Sequence, residues 1–296
     1  MTRHSGAQYT LTTPAGSLVF NPTSFSGDGY FLDYDGMQFG SDVRSARVSR
    51  PQSHGSYQDS GFEDGAIGVI KGVIIASTLA SRATLEQNLL KCVRSTLGSE
   101  GTGTLSWSEP GSGEARQLRG LQLAERVQLV GTGGSSMAFQ IMLQGERSTA
   151  ELAAETSTDS SSLSTDGAGG ITFPLTFPIV FTPSSGGTLV VTNTGTATEY
   201  PILRLYGSIS TATILNQTSG GQLAFTGSIA DGDYLEIDLF ERSILLNGVT
   251  NRANLLDVAN SEWFGLATGA STLRVTCGSF GVNAKLRALT HSAFVV

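Results

Sequence analysis

Carboxylates, histidines, cysteines and glycine-rich turns are the groups through which this chain could do chemistry, and their spacing decides which chemistry is open. Glu236 and Asp238 lie two residues apart. In an extended strand that spacing puts both on one face, with Leu235, Ile237 and Leu239 on the other. A glycosidase needs two carboxyl groups facing each other across a sugar, so this pair reads instead as a solvated strand face. Asp231-Gly232-Asp233 and Asp33-Tyr34-Asp35-Gly36 offer oxygen ligands of the kind calcium takes, but neither completes an EF-hand loop. Both read as Asp-Gly turns, with a weak exposed cation site as the alternative. His4, His54 and His291 stand singly, without a second His at helical spacing or a neighbouring Cys. A zinc site or a nucleophile–His pair would therefore need long-range convergence. No serine sits in a Gly-x-Ser-x-Gly elbow. The glycine clusters at 101–103, 111–113 and 131–134 lack the lysine of a phosphate loop and the dinucleotide pattern, and read as hairpin turns. Trp107, Trp263 and Phe264 are potential sugar platforms, against which stands plain core packing or edge anchoring. Arg44, Arg47 and Arg50 read as a solvated strand and loop face, or alternatively as a face toward acidic groups of a neighbouring subunit. No residue is assigned as catalytic, cofactor-binding or metal-ligating, no cofactor is implied, and the chain reads as a non-enzyme.

The elements that position these groups are mostly short strands. A length of 296 residues allows about two domains. A hydrophobic fraction of 39% with 37 Gly gives real cores and many turns, and only 15% of residues are charged, which excludes a disordered chain. The net charge is −7 and lysine occurs only at 71, 91 and 285. Gripping nucleic acid along its phosphates needs a basic patch, and none is visible. Cys92 and Cys277 have no metal-ligand spacing and read as free, buried, small apolar residues. The N-terminus lacks the apolar core of a signal peptide, and the apolar run around Gly72–Ala76 is too short for a bilayer. The expectation is a protein made in a cytoplasm, without a membrane anchor.

In chain order, residues 1–147 read as one unit. Tyr30–Tyr34 forms an aromatic strand closed by an Asp35-Gly36 turn, and Ile67–Ser77 a strand bent at Gly68 and Gly72. Thr84 with Gln87 makes a capping box for a helix whose stripe is Leu85, Leu89, Cys92, Val93 and Leu97, terminated at Gly98. Leu105 and Trp107 mark a further strand. Arg116–Val130 and Met137–Gly145 pair as a long hairpin, with Met137, Phe139, Ile141 and Leu143 on one face. Residues 148–169 have little to bury and read as a linker.

From 170 to 296 the pattern is strands again. Phe173, Leu175 and Phe177 alternate, with Pro174 and Pro178 marking an edge or an irregular start. Further strands fall at Leu189–Thr192, Ile202–Tyr206, Gln222–Phe225, Tyr234–Phe240, Ser243–Leu246, Thr272–Cys277 and Ala284–Leu289. Turns separate them at Gly186-Gly187, Gly220-Gly221, Asp231-Gly232 and Asn247-Gly248. That rhythm indicates a β-sandwich of jelly-roll type. Without a fixed repeat, propellers and solenoids are disfavoured.

Four segments of this half, NTGTATEYPILRLYGS (193–208), ILNQTSGGQL (214–223), DGDYLEIDLFERSILLNG (231–248) and LLDVANSEWFGLATGASTLRV (255–275), together resemble the distal tail (Dit) or minor tail protein family of siphophages. The last diverges: Thr268 and Ala270-Ser271 stand where the family often has Pro before the Gly and Asn after it. The first half resembles the family more loosely, through SRPQSHG (49–55), the strand after it, the helix and the final hairpin. The resemblance implies a mainly β protein: a β-rich ring-forming (belt) domain with one packed helix over 1–147, and a galectin-like or carbohydrate-binding-module-like sandwich over 170–296. It implies a structural virion protein at the baseplate or tail tip. Six copies would ring the DNA channel, joining the tail tube protein to tip, fibre or receptor-binding proteins, with DNA passing unbound. Synthesis would be in the host bacterium's cytoplasm. The alternative is a module on the tail tip that binds host-wall glycan through 170–296. A third reading, an enzyme on wall polysaccharide, would need a paired-carboxylate cleft.

Overall fold

Period-two alternation of apolar and polar residues dominates this chain, and in the computed structural model it becomes strands nearly throughout. The structure describes residues 7–22, 27–45, 47–50, 54, 56–58, 61–97, 101–108, 111, 113–160, 163 and 186–296. It divides into two units, Met1–Ala153 with Phe294–Val296, and Ala154–Ala293.

The first unit contains β1 (Tyr9–Thr13), β2 (Gly16–Phe20), β3 (Gly29–Arg44), β4 (Arg47–Ser49), β5 (Ser56–Gln58), β6 (Phe62–Ile75), α1 (Leu79–Arg94), β7 (Gly103–Ser108), β8 (Ala115–Leu123), β9 (Gln128–Gly133), β10 (Ser136–Gln144) and β11 (Thr149–Leu152). The sheet runs β11-β8-β7-β1-β2-β3-β6-β10-β9, and a further pairing of β8 with β10 closes seven of these strands on themselves. Inside lie Tyr9, Leu11, Phe20, Ile70, Ile74, Leu105, Leu118 and Ile141, all buried. The α1 helix, the one α-helix among the described residues, adds Leu89, Cys92 and Val93 to this core.

Three sequence expectations in this unit are corrected. The helix starts six residues earlier than expected, measured from N-cap to N-cap. Thr78 is its N-cap, its Oγ1 accepting the Ser81 N–H at 3.1 Å, while Thr84 lies mid-helix and donates to the Ala80 carbonyl at 3.1 Å. Ser81, Arg82 and the two alanines propagate the helix well enough that the first capping residue after β6 wins. Gly98 lies outside the described residues. Asp35-Gly36 does not end a strand: β3 runs on to Arg44, with Leu32 paired to Gly72 and Met37 to Ile70. The irregularity is therefore a bulge in β3. Gly72 permits it, since a Cβ there would stand 2.1 Å from the Phe31 carbonyl oxygen. The expected arm Arg116–Val130 is two strands, β8 and β9, parted at 124–127; β10 pairs with both and with β6.

The second unit contains β12 (Thr156–Asp159), β13 (Gly186–Asn193), β14 (Ile202–Tyr206), β15 (Ile209–Asn216), β16 (Gln222–Ile229), β17 (Tyr234–Asp238), β18 (Ser243–Leu246), β19 (Thr250–Asn251), β20 (Gly269–Phe280) and β21 (Lys285–Thr290). Among the described residues they form a six-stranded sheet, β12-β21-β14-β17-β18-β19, and a four-stranded sheet, β13-β20-β15-β16. Leu203, Leu205, Leu235, Ile237 and Leu286 from the first share one core with Leu189, Val191, Ile214, Leu223 and Leu273 from the second. This is a sandwich. A last strand, β22 (Ala293–Val295), pairs with β11, so the chain's end completes the first unit's sheet.

Gly186-Gly187 opens β13 rather than forming a turn, paired with Thr276 and Val275. The stretch 148–169, read as a linker, holds β11 and β12. Besides their backbone pairing, each carries a charged anchor, Glu151 to Arg119 and Arg147, and Asp159 to Arg287 and Lys285, and neither has the apolar alternation that marks a strand in sequence. The expected Phe173–Phe177 strand lies outside the described residues. Among those residues, no helix is long and apolar enough to cross a membrane.

Candidate interaction surfaces

The groups singled out for chemistry are dispersed and mostly engaged in holding turns and strands. Glu236 accepts from Arg204 Nε at 2.8 Å, and Asp238 Oδ1 accepts the N–H groups of Phe240 and Glu241. Asp233 Oδ1 accepts from Asn247 Nδ2 at 2.9 Å, and Asp231 Oδ1 from Asn283 Nδ2 at 3.3 Å. Among the described residues no cluster of three or more His, Cys, Asp or Glu is placed to hold a metal ion. His291 Nε2 stands 3.8 Å from Glu155; His4 lies outside the described residues. Cys92 and Cys277 are free and buried, and burial pushes the Cys277 thiol up to about 11. Trp107 is buried and stacks on Phe39 at 5.3 Å between ring centroids. Trp263 is partly buried against the sandwich core and Phe264 is buried in it. Neither Trp107 nor Phe264 is therefore open as a sugar platform.

Two surfaces stand out instead. In the first unit, the β3–β6 pair is continued by the short pair β4–β5. Along this arm Val43, Val48, Tyr57 and Phe62 are each more than 60% exposed. Val48 and Tyr57 sit directly opposite across the pair, and the Arg50 guanidinium lies 4.9 Å from the Tyr57 ring centroid. Arg44, the first of the three arginines, pairs with Asp64 at 2.8 Å; the Arg47 side chain lies outside the described residues. Four large apolar side chains on so narrow an arm resemble an interface more than a solvated edge.

In the second unit, the outward face of the six-stranded sheet carries Arg204 and Tyr206 on β14, Tyr234 and Glu236 on β17, and Lys285 and Arg287 on β21. The two tyrosine rings lie 5.4 Å apart, with Arg204 5.2 Å from Tyr234 and Arg287 5.6 Å from Tyr206. Asp159 on β12 takes both Arg287 and Lys285. The Arg287 hydrogen bond, assisted by Lys285, holds its carboxyl well below the usual carboxylate range. These strands pair so that residues 204, 236 and 287 fall in register, which is what gathers the charges.

This sandwich holds the four segments that carried the resemblance. Residues 194–286 match the family model for the siphovirus-type tail component, C-terminal domain. Residues 194–286 of the second unit are thus similar to a siphovirus-type tail component domain. The distal tail resemblance read from the sequence stands on that match. Over nearly the whole chain, the crystal structure of the SPP1 Dit (gp 19.1) protein, described as a paradigm of the hub adsorption apparatus in phages infecting Gram-positive bacteria, shares the fold. Its TM-score is 0.60 at 10% identity, covering 95% of this chain and 98% of that chain. Two structures of the phage P2 baseplate in its activated conformation, with Ca and with Sr, are also similar. They have 10% and 11% identity and TM-scores of 0.47 and 0.46, each covering 96% of this chain and 97% of that chain. No curated protein matches the chain. The exposed arm and the charged tyrosine face were not found from sequence. The arm's only signal was valines and aromatics among arginines; the face depends on strand register, which a single sequence does not display.

Proposed function

We propose that this tail component is the structural hub of a siphophage distal tail. Six copies of the first unit close a ring around the DNA channel, and the assembly joins the tail tube protein to tip or receptor-binding proteins. The observation that carries the reading is the family match over residues 194–286, supported by a fold shared with the SPP1 Dit protein along nearly the whole chain. The arm gives the ring a physical means. Val43, Val48, Tyr57 and Phe62 are apolar groups that a neighbouring copy would take out of water, at about 25 cal/mol for each Å² covered. A protein doing this work needs cores, edges and subunit contacts and no nucleophile. With only three lysines and a net charge of −7, the lumen of such a ring is neutral or acidic and does not retain DNA. The protein then resides in the virion, at the tail tip.

Native mass spectrometry and electron microscopy of the purified protein and of tails test this. Six-fold rings at the tail tip are expected. Rings should be lost in a Val48→Asp, Tyr57→Asp variant whose melting temperature is unchanged. Absence from tail tips, or rings unaffected by the arm variant, would refute the respective parts of the reading, and a strongly positive lumen would refute the channel argument.

A further inference from the structure

One end of the sandwich holds a concavity of about 660 Å³, within the range of small-ligand sites, that the hub role does not use. Its floor is aliphatic, with Ile209 and Ile229 from the four-stranded sheet, Leu246 from the six-stranded sheet, and Leu255 from a 3-10 turn. Its rim is polar, with Ser210, Ser228, Ser279, Asp233 and Arg252. The Ser210 and Ser279 hydroxyls are hydrogen-bonded to each other at 2.6 Å, and Asp233 is held by Asn247.

The backbone is bent to make this rim. Thr226 and Gly227 of β16 oppose the single Thr211 of β15. Thr211 has φ +43 and Gly227 φ +104. A β-branched residue rarely adopts the left-handed region, and such outliers gather at working sites. Gly278, opposite Thr211 on β20, leaves room for it: a Cβ there would meet Thr211 Oγ1 at 2.5 Å. The result is a break in alternation. Ile209 and Ala212 are both buried although three residues apart, and Ser210 faces the concavity beside Ser279 and Ser228. Bulges that re-aim side chains in this way are common next to binding sites.

We propose that this concavity binds a single uncharged pyranose ring of a glycan. The serine hydroxyls donate to and accept from ring hydroxyls, and Asp233 and Arg252 take hydroxyls as acceptor and donor. One carboxylate against one guanidinium leaves no net charge for an ionic ligand to neutralise. The aliphatic floor receives the C–H face of the sugar. No aromatic ring lines the concavity, so the affinity is weak, with a Kd of about 1 mM.

Saturation-transfer NMR on the full chain, with neutral methyl hexosides and N-acetylhexosaminides at about 20 mM, well above that Kd, tests the site. Transfer to ring C–H protons is expected. It should be lost in Ser228→Trp, which fills the mouth from an exposed position, and weakened several-fold in Arg252→Ala, a change on an exposed residue that leaves the core intact. No transfer to any neutral pyranose, transfer unchanged by both variants, or preferential transfer to a uronic acid would overturn the proposal. The measurement reads the second unit's site whether or not the protein forms rings, so failure here and failure of the hub reading are distinguishable.

Discussion

Replacing Glu151 by Ala tests whether charge, rather than apolar burial, fastens β11 to the first unit. Glu151 is 3% exposed. Its Oε2 takes Arg119 through Nε at 2.7 Å and Nη2 at 2.5 Å, and its Oε1 takes Arg147 Nη1 at 2.6 Å. Its backbone pairs with β8 on one side, joining Glu151 to Gln117 and Leu152 to Arg116, and with β22 on the other, but Ala150 is its one buried apolar side chain. Removing the carboxylate takes its ion-pair partner from two guanidinium groups. Taking one partner from a buried ion pair costs about 3–5 kcal/mol. Arg119, with 38% of its side chain exposed, regains water, which places the expected loss near the lower end, about 3 kcal/mol. For a unit of this size that corresponds to a melting temperature lower by roughly 6–12 °C. Differential scanning calorimetry is the assay, because the first unit's transition should move while the second unit's does not. The Glu151→Ala, Arg147→Ala double variant should recover part of the loss. A shift below about 2 °C, equivalent to under about 1 kcal/mol, would mean that the cluster behaves as an ordinary surface bridge, and the account of β11 would be wrong.

Glycine positions give a contrast within one strand. Gly72→Ala places a Cβ 2.1 Å from the Phe31 carbonyl oxygen, whereas Gly68→Ala meets only the Phe39 ring at 3.5 Å. The first should lose about 3 kcal/mol or more, or fail to yield soluble protein, and the second under about 1 kcal/mol, as read by urea denaturation. Thr78→Ala should cost the helix about 1 kcal/mol and Thr84→Ala a few tenths, the reverse of what the capping-box reading requires. Asp159 titrates lower in the folded chain than in the unfolded one, so its contribution is present above the ordinary value of about 3.9 and is lost as pH falls below it. Asp159→Ala should therefore soften the loss of second-unit stability below about pH 4, by no more than about 1 kcal/mol at this exposure and less in high salt. With its thiol pushed up to about 11, Cys277 is thiolate in about one molecule in a thousand at pH 8. Disulfide-exchange reagents should label it only on unfolding; rapid labelling of the native protein would contradict its burial.

Much of the strand layout was readable because alternation is a local property. Ile202–Tyr206 and Ser243–Leu246 are strands to the residue, and Trp107, Phe139 and Leu143 face the core as their period requires. β15 is illegible for a physical reason: Thr211 in the left-handed region breaks the period, so that Ile209, Ala212 and Ile214 are buried at unequal spacing and the stretch does not scan as a strand. β11 and β12 are not legible for a different reason: neither alternates apolar with polar residues, and their side-chain anchors are arginines and a lysine up to 128 residues away in sequence.

The same distinction separates the two kinds of surface in this protein. The tail-component segments were legible because turns and strand ends are written in consecutive residues: Asn247-Gly248 makes its hairpin whatever lies elsewhere. The concavity is assembled from 208–210, 228–233, 246–255 and 279, none of which carries a motif by itself. Its two ingredients, a threonine forced to positive φ and a glycine opposite each side of it, become meaningful only when β15, β16 and β20 are in register. A bulge in β16 that holds Thr211 of the neighbouring β15 at positive φ is a poor choice for a surface with only packing to do, since Gly or Asn at 211 would relieve the strain. Thr211→Gly is therefore the variant that separates strain kept for the rim from strain without consequence. It should stabilise the second unit or leave it unchanged while loosening the rim, and weaken sugar binding in the same saturation-transfer measurement. If Thr211→Gly binds as the natural chain does, the bulge shapes the sandwich end alone and the rim geometry does not depend on it.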